Sequence, residues 1–231
     1  MAPASKSELS TIAERLQAIR SSLPEGVTLV AVSKFHPVEA LLEAYAAGQR
    51  HFGESRAQEL EAKVVAMPPD VVWHFIGHLQ RNKVRHVVRI ASIIESVDSL
   101  ELLRLIDREA ARVGRRIDVL LELHVAEEET KSGMSLAECD ALINSIAREP
   151  LSNVAVRGLM GMATFTDDEK RVRADFNTLR MAFDRLKRSA FAKEPSFDTL
   201  SMGMSDDYGI AVECGSTAVR IGTAIFGARA Y

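Results

Sequence analysis

The 231-residue sequence has little cysteine, little net charge and no long apolar run, and each shortage excludes something. Its two cysteines, Cys139 and Cys214, lie far apart and match no zinc or redox spacing. They read as free thiols of a reducing compartment. A formal charge of -3 leaves no global basic field for nucleic acid or an anionic membrane surface. No stretch approaches the roughly 20 apolar residues of a membrane span. The opening MAPASKSELS holds no apolar core of a signal peptide. A cytoplasmic protein without membrane or nucleic-acid partners is therefore expected. Gly/Ser linkers and low-complexity segments are missing too, so residues 1–231 are read as one domain. No G-x-G-x-x-G follows the first strand, which disfavours a dinucleotide fold, and no H-E-x-x-H suggests a metalloprotease.

What is present is an alternation of two periods. Leu9, Ile12, Leu16 and Ile19 mark an amphipathic helix within residues 1–24, expected to pack on the rest. The apolar run Leu29-Val30-Ala31-Val32 then reads as a strand covered on both faces, as in a parallel sheet. Val38, Leu41, Leu42 and Tyr45 mark a helix closed by Gly48. Further strands are expected at His51 to Ser55, Trp73 to Gly77, Ser92 to Asp98, Ile117 to Val125, Val154 to Met162, Leu200 to Met204 and Ala218 to Ile221. Between them lie a polar helix through Leu60 and Val64, a basic helix from Gln80, and a helix with Leu100, Leu103, Ile106, Ala110 and Val113 on one face. Ser135 and Glu138 form a capping box, and Thr166 with Glu169 is expected to cap a long helix through Leu186. Eight strands separated mostly by helices imply parallel pairing with right-handed crossovers. A single (β/α)8 TIM-type barrel with an extra N-terminal helix follows, although pattern alone leaves an open doubly wound sheet as an alternative.

An α/β barrel carries its site at the C-terminal ends of its strands. Lys34 ends the first strand, on the same face as Val30 and Val32. If that face is internal, desolvation favours a neutral amine that can form a Schiff base. The competing reading is a lysine that extends into solvent. Arg220-Ile221-Gly222-Thr223 ends the last strand, where Gly222 permits close backbone approach to an anion. A glycine there can equally mark close packing. Ser201-Met202-Gly203-Met204-Ser205 offers further phosphate donors or a plain turn. His36, His51, His74, His78, His86 and His124 read as packing or surface residues, Gly215-Ser216-Thr217 as a folding element, and Glu127-Glu128-Glu129 as solvated loop.

Taken together, AVSKFHP (31–37), HFGESRAQEL (51–60), WHFIGHLQRNK (73–83), ESVDS (95–99), ETKSGM (129–134), GLMGM (158–162), LSMGMSDDY (200–208) and GSTAVRIGTAIFGAR (215–229) resemble the YggS/PROSC-type pyridoxal 5'-phosphate (PLP) homeostasis proteins. Those are small barrels related to the N-terminal domain of alanine racemase, a fold type III-like PLP architecture. The resemblance implies PLP as cofactor, held as a Schiff base on Lys34. It implies Ser201, Gly222 and Thr223 as phosphate ligands and Arg220 as the group facing the pyridine nitrogen. An arginine there would keep that nitrogen unprotonated and the cofactor a weaker electron sink. Ser55 and His124 depart from the family, which usually has Asn at both places. The implied function is a monomeric PLP carrier or regulator in vitamin B6 and amino-acid homeostasis, with PLP-requiring apoenzymes as recipients. The alternative is a PLP-dependent amino-acid racemase, but the short tail after the last strand leaves no second domain to supply a second base. Tyr45 and Tyr208 are the tyrosines available for that role. A barrel that binds another phosphorylated metabolite, without PLP, is the third reading.

Overall fold

The computed structural model describes residues 11–128 and 130–227, so Leu9, Glu129 and Arg229 of the segments above lie outside the described residues. Strands β1 (Thr28–Val32), β2 (His51–Glu54), β3 (Val72–Phe75), β4 (Ile93–Val97), β5 (Ile117–His124), β6 (Val154–Met162), β7 (Thr199–Ser201) and β8 (Ala218–Ile221) form a closed barrel in sequence order. Every pairing is parallel, and β8 returns to β1 with Thr28 opposite Ala218 and Ala31 opposite Ile221. Closure decides against the open sheet. Helices α1 (Ile12–Ser22), α2 (Val38–Ala46), α3 (Ala57–Val64), α4 (Val84–Ile90), α5 (Leu100–Arg112), α6 (Leu136–Arg148), α7 (Glu169–Arg188), α8 (Tyr208–Glu213) and α9 (Thr223–Phe226) complete the described chain.

Side-chain alternation divides each strand between two environments. Leu29, Ala31, Phe52, Trp73, Phe75, Ile94, Val119 and Leu121 join the main core between sheet and helices. Val30, Val32, Leu120, Met160 and Ala218 are buried apart from that cluster, on the barrel's inner face. Helices meet the outer face along their apolar stripes. On α5, Leu103, Ile106 and Ala110 are fully buried, and Ser99 accepts the Leu102 amide as its N-cap. Ser135 and Glu138 form the expected capping box on α6.

Several boundaries differ from the sequence reading. The N-cap of α7 is Asp168, whose carboxylate accepts from the Lys170 amide at 2.9 Å, not Thr166. The Thr166 hydroxyl instead accepts from the Asp168 amide, forming the turn that precedes the helix. The basic helix expected from Gln80 begins as a 3-10 turn over Arg81–Lys83. β7 ends at Ser201 rather than Met204, because Gly203 turns into positive φ (96°) and breaks the extended run. Ser216, beyond the opposite ends of the strands, bridges the carbonyls of Met202 (2.8 Å) and Ala218 (2.9 Å), tying β7 to β8.

Candidate functional site

β1 ends at Val32, and Lys34 does not end the strand itself but follows in the turn two residues on, where it is half-buried. Val30 lies opposite Arg220 in the β1–β8 register. One alternation further, Gly222 sits against Val32: a Cβ at 222 would fall 3.2 Å from the Val32 carbonyl oxygen. Arg220 and Gly222 thus run beside Val30 and Val32, the residues that lead into the lysine turn.

The turn carrying Lys34 is tightly held. Phe35 has φ 67°, the only described non-glycine residue at positive φ. That region is costly for a residue with a Cβ, by roughly 1–2 kcal/mol. Its amide donates to Glu59 at 2.8 Å, and the Arg56 guanidinium stacks 4.7 Å from its ring centroid. On the other side His36 stacks on Phe226 of α9, with ring centroids 5.0 Å apart. Beneath the turn, the buried Lys63 ammonium donates to the Ser33 carbonyl (2.8 Å) and to Glu54 (2.7 Å). Burial pushes the Glu54 carboxyl above its usual range, against the pull of Lys63.

At the end of β8, Gly222 is the N-cap of α9, and the Ala224 amide faces the Ser205 hydroxyl at 3.4 Å. Amides in a first helical turn lack intrahelical acceptors and suit an oxyanion. Gly222 and Thr223 therefore share this corner with Ser205. Ser201 does not. It is 0% exposed, and its hydroxyl donates to Glu95 (2.6 Å) while accepting from Arg220 (2.6 Å). In this structure the hydroxyl is engaged inside the barrel, between Glu95 and Arg220.

That pair belongs to a chain that the sequence did not reveal. The His51 Nδ1 lies 3.0 Å from His74 Nε2, and His74 Nδ1 lies 2.6 Å from Glu95 Oε1. Glu95 Oε2 then accepts from Ser201, and Arg220 donates to Ser201 and to the Gly161 carbonyl. An ionised Glu95 calls for a proton on His74 Nδ1, the ring nitrogen that faces it. Burial alone would raise the Glu95 carboxyl, but His74, Arg220 and Ser201 together hold it below its ordinary value. Burial, with His74 adding to it, drives His51 down to about 4. The signal was a carboxylate within the mostly apolar Ile93-Ile94-Glu95-Ser96-Val97, since a buried charge requires partners.

Other candidates are engaged elsewhere. His124 Nδ1 bonds the Lys131 carbonyl at 2.8 Å, holding the loop after β5. The Tyr45 hydroxyl donates to Asp70 at 2.6 Å, and the Tyr208 hydroxyl lies 3.3 Å from that of Ser22. Cys139 and Cys214 are free and buried, with burial pushing the Cys139 thiol up to about 12. Among the described residues no cluster of three or more His, Cys, Asp or Glu is arranged to hold a metal ion, and no helix is long and apolar enough to cross a membrane.

Comparison with known proteins agrees with this geometry. The alanine racemase N-terminal domain model matches residues 7–230. The pyridoxal phosphate homeostasis protein of Vibrio alginolyticus is 42% identical over 90% of this chain and 89% of its own length. Its counterpart in Schizosaccharomyces pombe (strain 972) is 36% identical over 96% of this chain and 94% of its own. Among solved structures, PipY of Synechococcus elongatus PCC7942 with PLP bound superposes with a TM-score of 0.87 at 41% identity, covering 94% of this chain and all of the other. A closed barrel with a lysine at its mouth, matched along nearly its whole length in this way, belongs to the alanine racemase N-terminal domain family, and within it to the pyridoxal phosphate homeostasis proteins.

Proposed function

We propose that this protein binds PLP at the barrel mouth, linked covalently through the Lys34 amine, and serves intracellular PLP and amino-acid homeostasis with little or no turnover. The observation that carries the reading is the pairing of β1 with β8, in which Val30 lies opposite Arg220 and Gly222 sits against Val32, two residues before Lys34. A relative of the same fold, PipY, has been solved with PLP bound.

The residues fit that cofactor. Gly222 and Thr223 offer backbone donors for its phosphate, with the Ser205 hydroxyl beside them. Arg220 presents a fixed positive charge to the ring, oriented by Ser201, Gly161 and Glu95. Ser201 holds the Arg220 guanidinium in place. Bound PLP supplies an electron sink, which an arginine beside its nitrogen weakens because a second positive charge is unfavourable there.

Carriage rather than racemisation is favoured because a two-base racemase needs an acid/base opposite the lysine. The hydroxyls of Tyr45 and Tyr208 face Asp70 and Ser22 instead. A cytoplasmic monomer that passes PLP to PLP-requiring apoenzymes completes the reading. Its test is borohydride treatment of PLP-loaded protein followed by peptide mapping. The adduct belongs on the peptide containing Lys34, and Lys34→Ala should abolish it while the fold persists. A protein that takes up no PLP, or an adduct on another lysine, overturns the assignment. Interconversion of L- and D-alanine at ordinary enzyme rates of roughly 1 s⁻¹ or more would favour the racemase.

A further inference from the structure

Two of the motifs quoted from the sequence, HFGESRAQEL and WHFIGHLQRNK, support the site above from beneath, and the fold also brings the turns that follow their strands together. After β2 the chain turns through Ser55 and Arg56 into α3; after β3 it turns through Gly77 and His78 into the 3-10 turn. A cavity of about 520 Å³ lies between these turns, lined by Phe35, Ser55, Arg56, Gln58 and Lys83 among others. Its wall is fixed by backbone: a Cβ at Gly77 would fall 2.3 Å from the Ser55 carbonyl oxygen. Only glycine permits so close an approach.

The lining divides into two chemistries. Phe75 and Leu79, each 2% exposed, give it an apolar floor. Arg56 and Lys83 supply two cationic groups, and no aspartate or glutamate lines the cavity. The nearby carboxylates are committed elsewhere. Glu59 accepts from the Phe35 amide and Lys63 and lies 3.9 Å from Arg56, while Asp98 faces His78 at 3.6 Å. Lys83 is half-buried, and no hydrogen bond or ion pair engages its ammonium among the described residues. A partly desolvated cation without a partner favours an oxyanion as ligand. A concave apolar floor with a few convergent polar groups is the usual form of a small-molecule site.

We propose that this cavity binds a small organic anion, an apolar body carrying a carboxylate or a phosphate, and that its occupancy is transmitted to Lys34 through Phe35. Phe35 forms part of the cavity wall, follows Lys34 directly and holds a left-handed backbone. A ligand packed on its ring discriminates between arrangements of that turn, which is all that coupling requires. Binding rests on the cavity alone; only the coupling rests on the cofactor reading of Lys34.

The experiment is calorimetric titration of the full chain with benzoate, with phenyl phosphate and with benzylamine, each with and without PLP. At least one anion should bind with PLP present, and the cation should not. The preferred anion identifies carboxylate or phosphate as the natural group. Lys83→Gln and Arg56→Gln should each weaken binding about tenfold or more, as loss of a charge-assisted hydrogen bond implies. Both positions reach solvent, so folding should be retained; a thermal melt checks this. No anion binding, or binding that both variants leave unchanged, overturns the site. The coupling is read separately, as a change in the PLP absorbance or release rate on adding the anion. An anion that binds without altering either removes the coupling and leaves the site. Failure to take up PLP removes the cofactor reading, while anion titration without PLP still tests the cavity.

Discussion

Inside the barrel the Glu95 carboxylate is answered by His74 through one oxygen and by Ser201 through the other, with the Arg220 guanidinium 3.7 Å away. Glu95→Gln leaves Arg220 buried without its counter-charge, and breaking a buried pair of this kind costs about 3–5 kcal/mol. Urea denaturation should show that loss, accompanied by a shifted PLP absorption band because Arg220 is no longer oriented. His51, at the other end of the same chain, gives a pH signature. Its folded pKa, about 4, lies below the ordinary imidazole value of 6.5, so the unfolded state binds the extra proton. Its contribution is complete above pH 6.5 and falls away as the pH drops toward about 4. His51→Gln should remove that part of the slope when unfolding free energies of the two proteins are compared across this window; identical slopes would show that His51 titrates normally. Lys34 stands out in the sequence because a charged residue just after an apolar strand is conspicuous. Glu95 and His74 were not, because a sequence shows burial cost but not the partner across the barrel. Ser201 and Ser205 could not be separated by composition; only the positive φ of Gly203 turns one inward and leaves the other at the corner.

Among the elements, strands were the easier half to read. Parallel strands covered on both faces appear as apolar runs, and β1, β6 and β8 end where those runs end. Helix starts depend on which side-chain oxygen wins the first free amides, and a sequence with several contenders is ambiguous there. Thr166, Asp167 and Asp168 stand in a row before α7, and Asp168 takes the position. Asp168→Ala should therefore destabilise the protein by about 1 kcal/mol, and Thr166→Ala by clearly less. Equal losses in thermal or urea denaturation would return the cap to Thr166. The short helices α8 and α9 escaped the sequence reading altogether, since six and four residues do not complete an amphipathic period. α9 nonetheless places the amides on which the proposed phosphate corner depends.

At the scale of the molecule, the barrel is unevenly sealed. β5 and β6 pair along their whole lengths, from Ile117 with Val154 to His124 with Met162, whereas β7 meets β8 in regular register only at Ser201 and Ala218. Backbone amides of β7 and β8 should therefore exchange with solvent faster than those of β5 and β6. PLP, gripping Lys34 on one side of β8's end and Gly222 on the other, should slow exchange in β8 and the start of α9 more than in β5 and β6. Hydrogen-exchange mass spectrometry with and without PLP measures this, and uniform protection around the barrel would contradict it. The closed parallel barrel was legible from strand–helix alternation, but the shortness of regular register at its last joint was not, because register is a property of pairs of strands. The leading helix gains a significance from this. Ile12 donates to Glu43 of α2 (3.0 Å), Arg20 donates to the Ala47 carbonyl that ends α2 (2.7 Å), and Arg15 donates to the Ile225 carbonyl of α9 (2.6 Å). α2 follows the lysine turn and α9 follows Gly222. The helix that looked like an appendage acts as a splint across the neighbouring seam, where β8 meets β1, fixing from outside the span between the two hands that would hold the cofactor.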